Sequence, residues 1–206
     1  YPALHGQSIL RAGYSFVSCS NEAVEARLVD LSDYRIVDYI LGKQRRTKMG
    51  REGVAPVDFE TFSRGVQRAL ADFCKAGGNI FVSGAYVGSD LFNQPSATPA
   101  DQHFAANVLR FKWRVGQASS TGSLRGIASP YPSFEGNCEY YAEPNSERYV
   151  VESPDGIEPA DAGGATVFRY AETRISAGVV YAGKYRTCIF GFPFESIKKT
   201  SDDIFC

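Results

Sequence analysis

The 206 residues are 44% hydrophobic with a formal net charge of −1, which supplies a sizeable core and excludes disorder of the whole chain. The near-neutral balance excludes general nucleic-acid binding, which needs a strong basic footprint, and no apolar run approaches the roughly 18 residues of a membrane span. The length suits one large domain or two small ones, and a chain opening at Tyr1-Pro2 without Met reads as a piece of something longer.

Residues 3–12 read as a short amphipathic helix with Leu4, Ile9 and Leu10 as its apolar positions, ended by Gly13. Residues 14–17 (Tyr-Ser-Phe-Val) read as a strand. Ser20 caps a helical start in which Glu22 and Glu25 suit the helix dipole. Residues 31–34 form a turn, and residues 35–41 form a β-rich run, read as a parallel strand that stops at Gly42. From Lys43 to Val57 the chain is polar, is broken by Gly50, Gly53 and Pro56, and reads as a long loop. Its Lys43, Arg45, Arg46, Lys48 and Arg51 form either a solvated basic face or the rim of an anion site.

Asp58 is the expected N-cap of the strongest helix, with Phe59, Phe62, Val66, Ala69, Leu70 and Phe73 on one face. Gly77 and Gly78 stop it, and Ile80-Phe81-Val82 follows as a strand covered on both faces. Residues 92–99 are loop. Residues 101–109 are helical with Phe104, Val108 and Leu109 inward, and residues 111–115 alternate like a strand. Residues 116–160, dense in Ser, Gly, Pro, Tyr and Asn, read as a β-rich insertion of short antiparallel strands. Residues 165–170 and 176–181 are strands, and Ala182-Gly183-Lys184 turns into the partner strand at 185–190. Gly191-Phe192-Pro193-Phe194-Glu195 follows, and Ser201-Asp202-Asp203 looks like the N-cap of a final helix.

Five cysteines (Cys19, Cys74, Cys138, Cys188 and Cys206) have no metal-ligand spacing and read as inert thiols. No dinucleotide fingerprint, P-loop or His-Glu-X-X-His is present, so neither cofactor nor metal is expected.

The central feature is Gly84-Ala85-Tyr86-Val87-Gly88 after the strand at 80–82. Gly-X-X-X-Gly is the spacing of a nucleophile elbow, which exposes Ser or Cys at its middle position. Here that position is Tyr86. Ligands of open α/β sheets bind beyond the carboxyl ends of the strands. That rule gathers Lys43, Arg45, Arg46, Tyr86, Ser89, Asp90 and Glu195 into one candidate pocket.

Four chemistries compete there. A Ser-His-acid triad would need a histidine near the pocket, and the chain has only His5 and His103. Asp90 and Glu195 could form the acid–base pair of a glycosidase, or simply cap backbone amides. Tyr86 could serve as a lyase base on uronates, with Lys43 or Arg45 neutralising the carboxylate. Finally, Tyr140, Tyr141 and Tyr149 could stack on sugar rings in a binding module.

Strand, elbow, β-rich insertion, hairpin and the Gly-Phe-Pro-Phe-Glu ending together resemble the class I glutamine amidotransferase-like fold over residues 13–200. That resemblance implies a flavodoxin-like, three-layer α/β domain with a mainly parallel sheet. It also implies a Cys at the elbow and a His-Pro-Glu-like motif after the late strand. Tyr86 replaces the Cys; Pro193 and Glu195 correspond in loose register; Phe192 and Phe194 stand where the His would be. The ending also resembles domains of secreted bacterial proteins labelled xanthan lyase. The implied function is a non-catalytic amidotransferase-like module, ligand-binding or structural, in a carbohydrate-related protein outside the cytoplasm. Its partner would be an acidic polysaccharide or other domains of the parent protein. The alternative is a polysaccharide lyase or hydrolase acting at the elbow.

Overall fold

Pro2 opens the first helix, α1 (Pro2–Arg11), at a position where a missing N–H costs nothing, and Gly13 follows its end at φ +82. The expected helix forms, but it buries His5 and Gly6, while Leu10 is 59% exposed. The expected strand at 14–17 does not form. That segment has no ladder partner among the described residues, and Tyr14, Phe16 and Val17 face solvent, with the Phe16 ring lying against Gly6. The computed structural model describes residues 1–198; the N-cap expected at Ser201-Asp202-Asp203 lies outside the described residues.

Ser20 caps α2 (Asn21–Glu25) by accepting the Ala23 N–H at 3.3 Å. β1 (Ile36–Gly42) is followed by β2 (Thr47–Arg51) and β3 (Val54–Phe59), which form a separate hairpin where the long loop is expected. Arg51 pairs with Val54, so the turn is Glu52-Gly53, with Gly53 at φ +76. Asp58 belongs to β3 and binds Arg46. The N-cap of α3 (Arg64–Lys75) is Ser63, which accepts the Val66 N–H at 3.2 Å. α3 buries Val66, Leu70, Phe73 and Cys74 on one side and ends at Gly77, φ +99.

β4 (Asn79–Gly84), the turn at 85–88 and α4 (Ser89–Phe92) make up the expected strand–elbow–helix unit. α5 (Pro99–Phe104) starts with a reciprocal capping box between Thr98 and Asp101 and runs on as a π-helical turn, Ala105–Leu109. Then come β5 (Phe111–Val115), β6 (Ser123–Gly126), β7 (Asn137–Glu139), β8 (Gly156–Pro159), β9 (Gly164–Tyr170), β10 (Ser176–Ala182) and β11 (Arg186–Phe190).

The main sheet has seven strands in the order β1-β4-β11-β10-β9-β6-β7. Only β1/β4 and β4/β11 are parallel; the other four neighbour pairings are antiparallel. The sheet is therefore mixed, not mainly parallel. The 116–160 region supplies β6 and β7 at one edge of this sheet, while β8 pairs with β5 in a separate ribbon.

Alternation along β4 divides the core in two. Ile80 and Val82 join Leu70 and Phe73 of α3, Leu91 of α4 and Phe104 of α5. Phe81 packs into a second cluster with Tyr140, Val151, Phe168, Phe190 and Phe192. Within it, Phe190 and Phe192 stack at 5.0 Å, and Phe81 meets Phe190 edge-on at 5.1 Å. This second face is covered by α1 and irregular segments instead of a second helical layer. The fold is thus mixed α/β, and the flavodoxin-like three-layer arrangement does not carry over to it.

Leu70, 2% exposed, anchors α3 to the sheet. Leu70→Ala is expected to lower stability by about 2–5 kcal/mol, the range for a buried Leu cavity, measured by urea unfolding.

Candidate functional site

β1, β4 and β11 run in the same direction, and the segments that leave them meet. The sharp turn at Gly42, φ +55, brings its carbonyl to the Ala85 N–H at 2.8 Å. Beside it lies a buried polar cluster. His5 reaches in from α1 and donates through Nδ1 to Asp38 Oδ2 of β1 at 2.7 Å and through Nε2 to Glu195 Oε2 at 3.1 Å. Both ring nitrogens face carboxylates, so the ring is an imidazolium. Burial opposes that charge, but the hydrogen bonds and charges of Asp38 and Glu195 outweigh it and hold the pKa up at about 9.

Glu195 stands on a short 3-10 turn, Phe194–Ser196. Its Oε1 accepts the Tyr149 hydroxyl at 2.7 Å. Burial pushes the Glu195 carboxyl up, yet the bonds from His5 and Tyr149 prevail and its pKa lies below the ordinary value. Burial and the negative charge of Glu195 push the Tyr149 phenol up. A Cβ on Gly42 would sit 3.2 Å from Glu195 Oε1, so the turn passes close over the carboxylate.

The elbow is the second polar cluster. Gly88 faces Trp113 so closely that a Cβ would stand 2.6 Å from its Cδ1. The N–H groups of Gly88 and Ser89 both donate to Asp155 Oδ2 at 2.7 Å, and Trp113 Nε1 donates to Oδ1 at 3.1 Å. Asp155 is wholly buried. Its backbone is held by the Gly191 carbonyl at 2.8 Å and by the Tyr170 hydroxyl at 2.8 Å. Burial raises its carboxyl to about 7 against the pull of the N–H donors. The anion position at the elbow is therefore occupied by a carboxylate of the chain itself.

Tyr86 is half-buried, with the Arg45 guanidinium 5.3 Å from its ring centroid. Ser89 contributes its amide to Asp155. Asp90 accepts the Arg46 N–H at 2.9 Å, Gln94 Nε2 at 3.2 Å and the Thr61 hydroxyl, and burial raises its carboxyl. Arg46 pairs with Asp58 at 2.6 Å and Glu60 at 2.9 Å. Lys43 binds the Val150 carbonyl at 2.8 Å and Glu152 at 2.5 Å. Among the described residues Asp90 and Glu195 thus sit in separate hydrogen-bond sets with no common partner. His103 is exposed and, among the described residues, its side chain bonds to Asn107.

Of the candidate stacking tyrosines, Tyr140 is fully buried and Tyr141 binds Glu147 beneath Lys198. Tyr149 meets Tyr1 edge to face at 4.9 Å. These two rings line a 490 Å³ cleft with Leu4, Asn145, Ser146, Glu147 and Arg148. The thiols of Cys74, Cys138 and Cys188 are pushed by burial up to about 12, whereas Cys19 is exposed. Among the described residues no cluster of His, Cys, Asp or Glu could hold a metal, and no helix is long and apolar enough to cross a membrane.

Sequence reasoning missed His5, Asp38 and Asp155. Asp38 left one signal, a lone charge inside the apolar run Ile36-Val37-Asp38-Tyr39-Ile40. His5 and Asp155 left none, since their partners lie far off in sequence.

No family model matches the chain, and no curated protein matches it. Among solved structures it is similar to exo-beta-1,4-mannosidase Op5Man5 from Opitutaceae bacterium strain TAV5, at 10% identity and a TM-score of 0.43 over 79% of this chain. The chain spans 21% of the length of that enzyme. With no family match and a mixed, partly uncovered-by-helix sheet, the resemblance to amidotransferase-like and xanthan lyase-labelled domains does not hold.

The His5 pKa in the fold, about 9, lies above its ordinary 6.5. Its contribution is fully present below pH 6.5 and is lost as pH rises through 9. Glu195, lowered from 4.5, contributes above that pH and loses its contribution in more acidic solution. The cluster is therefore strongest between pH 4.5 and 6.5. His5→Ala is expected to lower stability by about 3–5 kcal/mol, because the buried Glu195 and the partly buried Asp38 lose their cation. It should also flatten the decline in stability between pH 6.5 and 9. Urea unfolding across that range checks both, and an unchanged slope in His5→Ala would count against the imidazolium.

Proposed function

We propose that this chain is a non-catalytic, ligand-binding α/β module of a carbohydrate-related protein that works outside the cytoplasm. The observation that carries this reading is the Asp155 carboxylate on the Gly88 and Ser89 amides, 2.7 Å from each. A nucleophile elbow accelerates acyl transfer by offering such amides to a developing oxyanion. A buried carboxylate already bonded to them withholds those donors and, when ionised, repels a second negative charge. The imidazole of His5 adds to this. Both its nitrogens donate to carboxylates, so it has no lone pair with which to activate a nucleophile.

Two surfaces support saccharide binding. The cleft at Tyr1 and Tyr149 joins aromatic rings to the polar side chains of Asn145, Glu147 and Arg148, the mixture that a sugar's apolar face and hydroxyls require. The Arg45–Tyr86 stack offers an exposed cation on an aromatic shelf, suited to an acidic polysaccharide. Among the described residues Arg45 forms no ion pair, whereas Lys43 and Arg46 are each held by carboxylates.

A screen against neutral and acidic polysaccharides, following thermal shift and new product ends together, tests the reading. Binding without turnover is expected, weakened roughly tenfold by Tyr1→Ala for neutral saccharides and by Arg45→Ala for acidic ones. Turnover that disappears in Tyr86→Phe would replace the module by a lyase or hydrolase acting at the elbow.

A further inference from the structure

Toward the edge of the sheet remote from β1, β6 and β9 place Arg125 directly opposite Arg169. Side chains so placed share one face of the sheet, and like charges there repel. Arg174, on the turn after β9, adds a third guanidinium. Arg169 Nη1 donates to the Arg174 carbonyl at 2.9 Å, holding that turn against the strand. The three arginines line one cleft of about 710 Å³, together with Ile127, Ala128 and Ser129.

Four arginines elsewhere are answered by carboxylates: Arg46 by Asp58, Arg64 by Asp101, Arg110 by Asp161 and Arg114 by Glu158. Among the described residues none of the three cleft arginines forms an ion pair. Glu172, on the same turn as Arg174, accepts the Ser120 N–H instead. The whole chain has a net charge of −1, so this concentration of positive charge is local and does not reflect a basic protein.

We propose that this cleft is a binding site for a small polyanion carrying at least two oxyanion groups, carboxylate or phosphate. Planar guanidinium groups bind such oxygens in pairs, and two carried opposite each other on neighbouring strands present donors to a single anion. A bound anion would also offset the repulsion between Arg125 and Arg169. The cleft is of the size that takes a small organic ligand. The site lies on different elements from the Tyr1 and Tyr86 surfaces and stands independently of the saccharide reading.

Isothermal titration and thermal shift with citrate and with pyrophosphate test the proposal, the two probes separating carboxylate from phosphate ligands. At least one is expected to bind the wild-type protein, less tightly as salt rises. Arg125→Gln and Arg174→Gln should each weaken it roughly tenfold, while Arg114→Gln and Tyr1→Ala leave it unchanged. Arg125→Gln should in addition leave the ligand-free protein as stable as wild type or more so, because it removes a like-charge pair. No binding of either anion at millimolar concentration, or equal binding by wild type, Arg125→Gln and Arg174→Gln, would overturn the proposal.

Discussion

A buried cation, His5, holds together the polar cluster where α1 meets the central sheet. His5 stands between Asp38 and Glu195, and without its charge two carboxylates would face each other in a site with little water. The pairing spans 190 residues and fastens α1 to the central sheet and to the segment after β11. It explains why α1 packs down although Leu10 points to solvent. It also explains the close turn at Gly42 and the position of Tyr149, which completes the bonding of Glu195.

The elbow follows the same physical rule with the signs reversed. Two backbone N–H groups and an indole N–H converge, and the chain places a carboxylate where they point. Asp155 can hold that position because its own backbone is pinned by Gly191 and Tyr170. Geometry that can generate a reaction centre here ties the segment preceding β8 to the end of β4. The scaffold and the chemistry are separable: the turn has the shape of an elbow, and its donors serve cohesion.

Legibility in the sequence tracked how local each interaction is. α3 and β4 were readable because Val66, Leu70 and Phe73 recur at helical spacing and Gly77 supplies the stop. The β9–β11 meander was readable from its apolar runs and the turn at Gly183. The β2–β3 hairpin was not, because its strands are charged and lie apart from the main sheet, so no apolar alternation marks them. Residues 14–17 have strand-like composition but find no ladder partner among the described residues, and composition alone cannot provide one. The parallel pairing of β11 with β4 was equally hidden. β11 runs parallel to β4 and antiparallel to β10, and nothing in the side-chain pattern of β11 distinguishes the two. The site residues divide in the same way: Gly84, Tyr86 and Gly88 announced a turn, while His5 and Asp155 act through partners that only the folded chain brings near.

The two cores flanking the sheet each contain a buried thiol, and the partly buried Cys188 packs against the second core. Cys74 of α3 lies with the helices on one side, and Cys138 of β7 lies in the aromatic cluster on the other. Burial holds both in the unreactive protonated form, whereas Cys19 is open to solvent. The chain thus carries built-in clocks. An alkylating reagent added to the native protein would modify Cys19 at once, and would reach Cys74 and Cys138 only as fast as the layer around each one opens. The ratio of those two rates would report whether the helical side and the aromatic side breathe as one unit or as two.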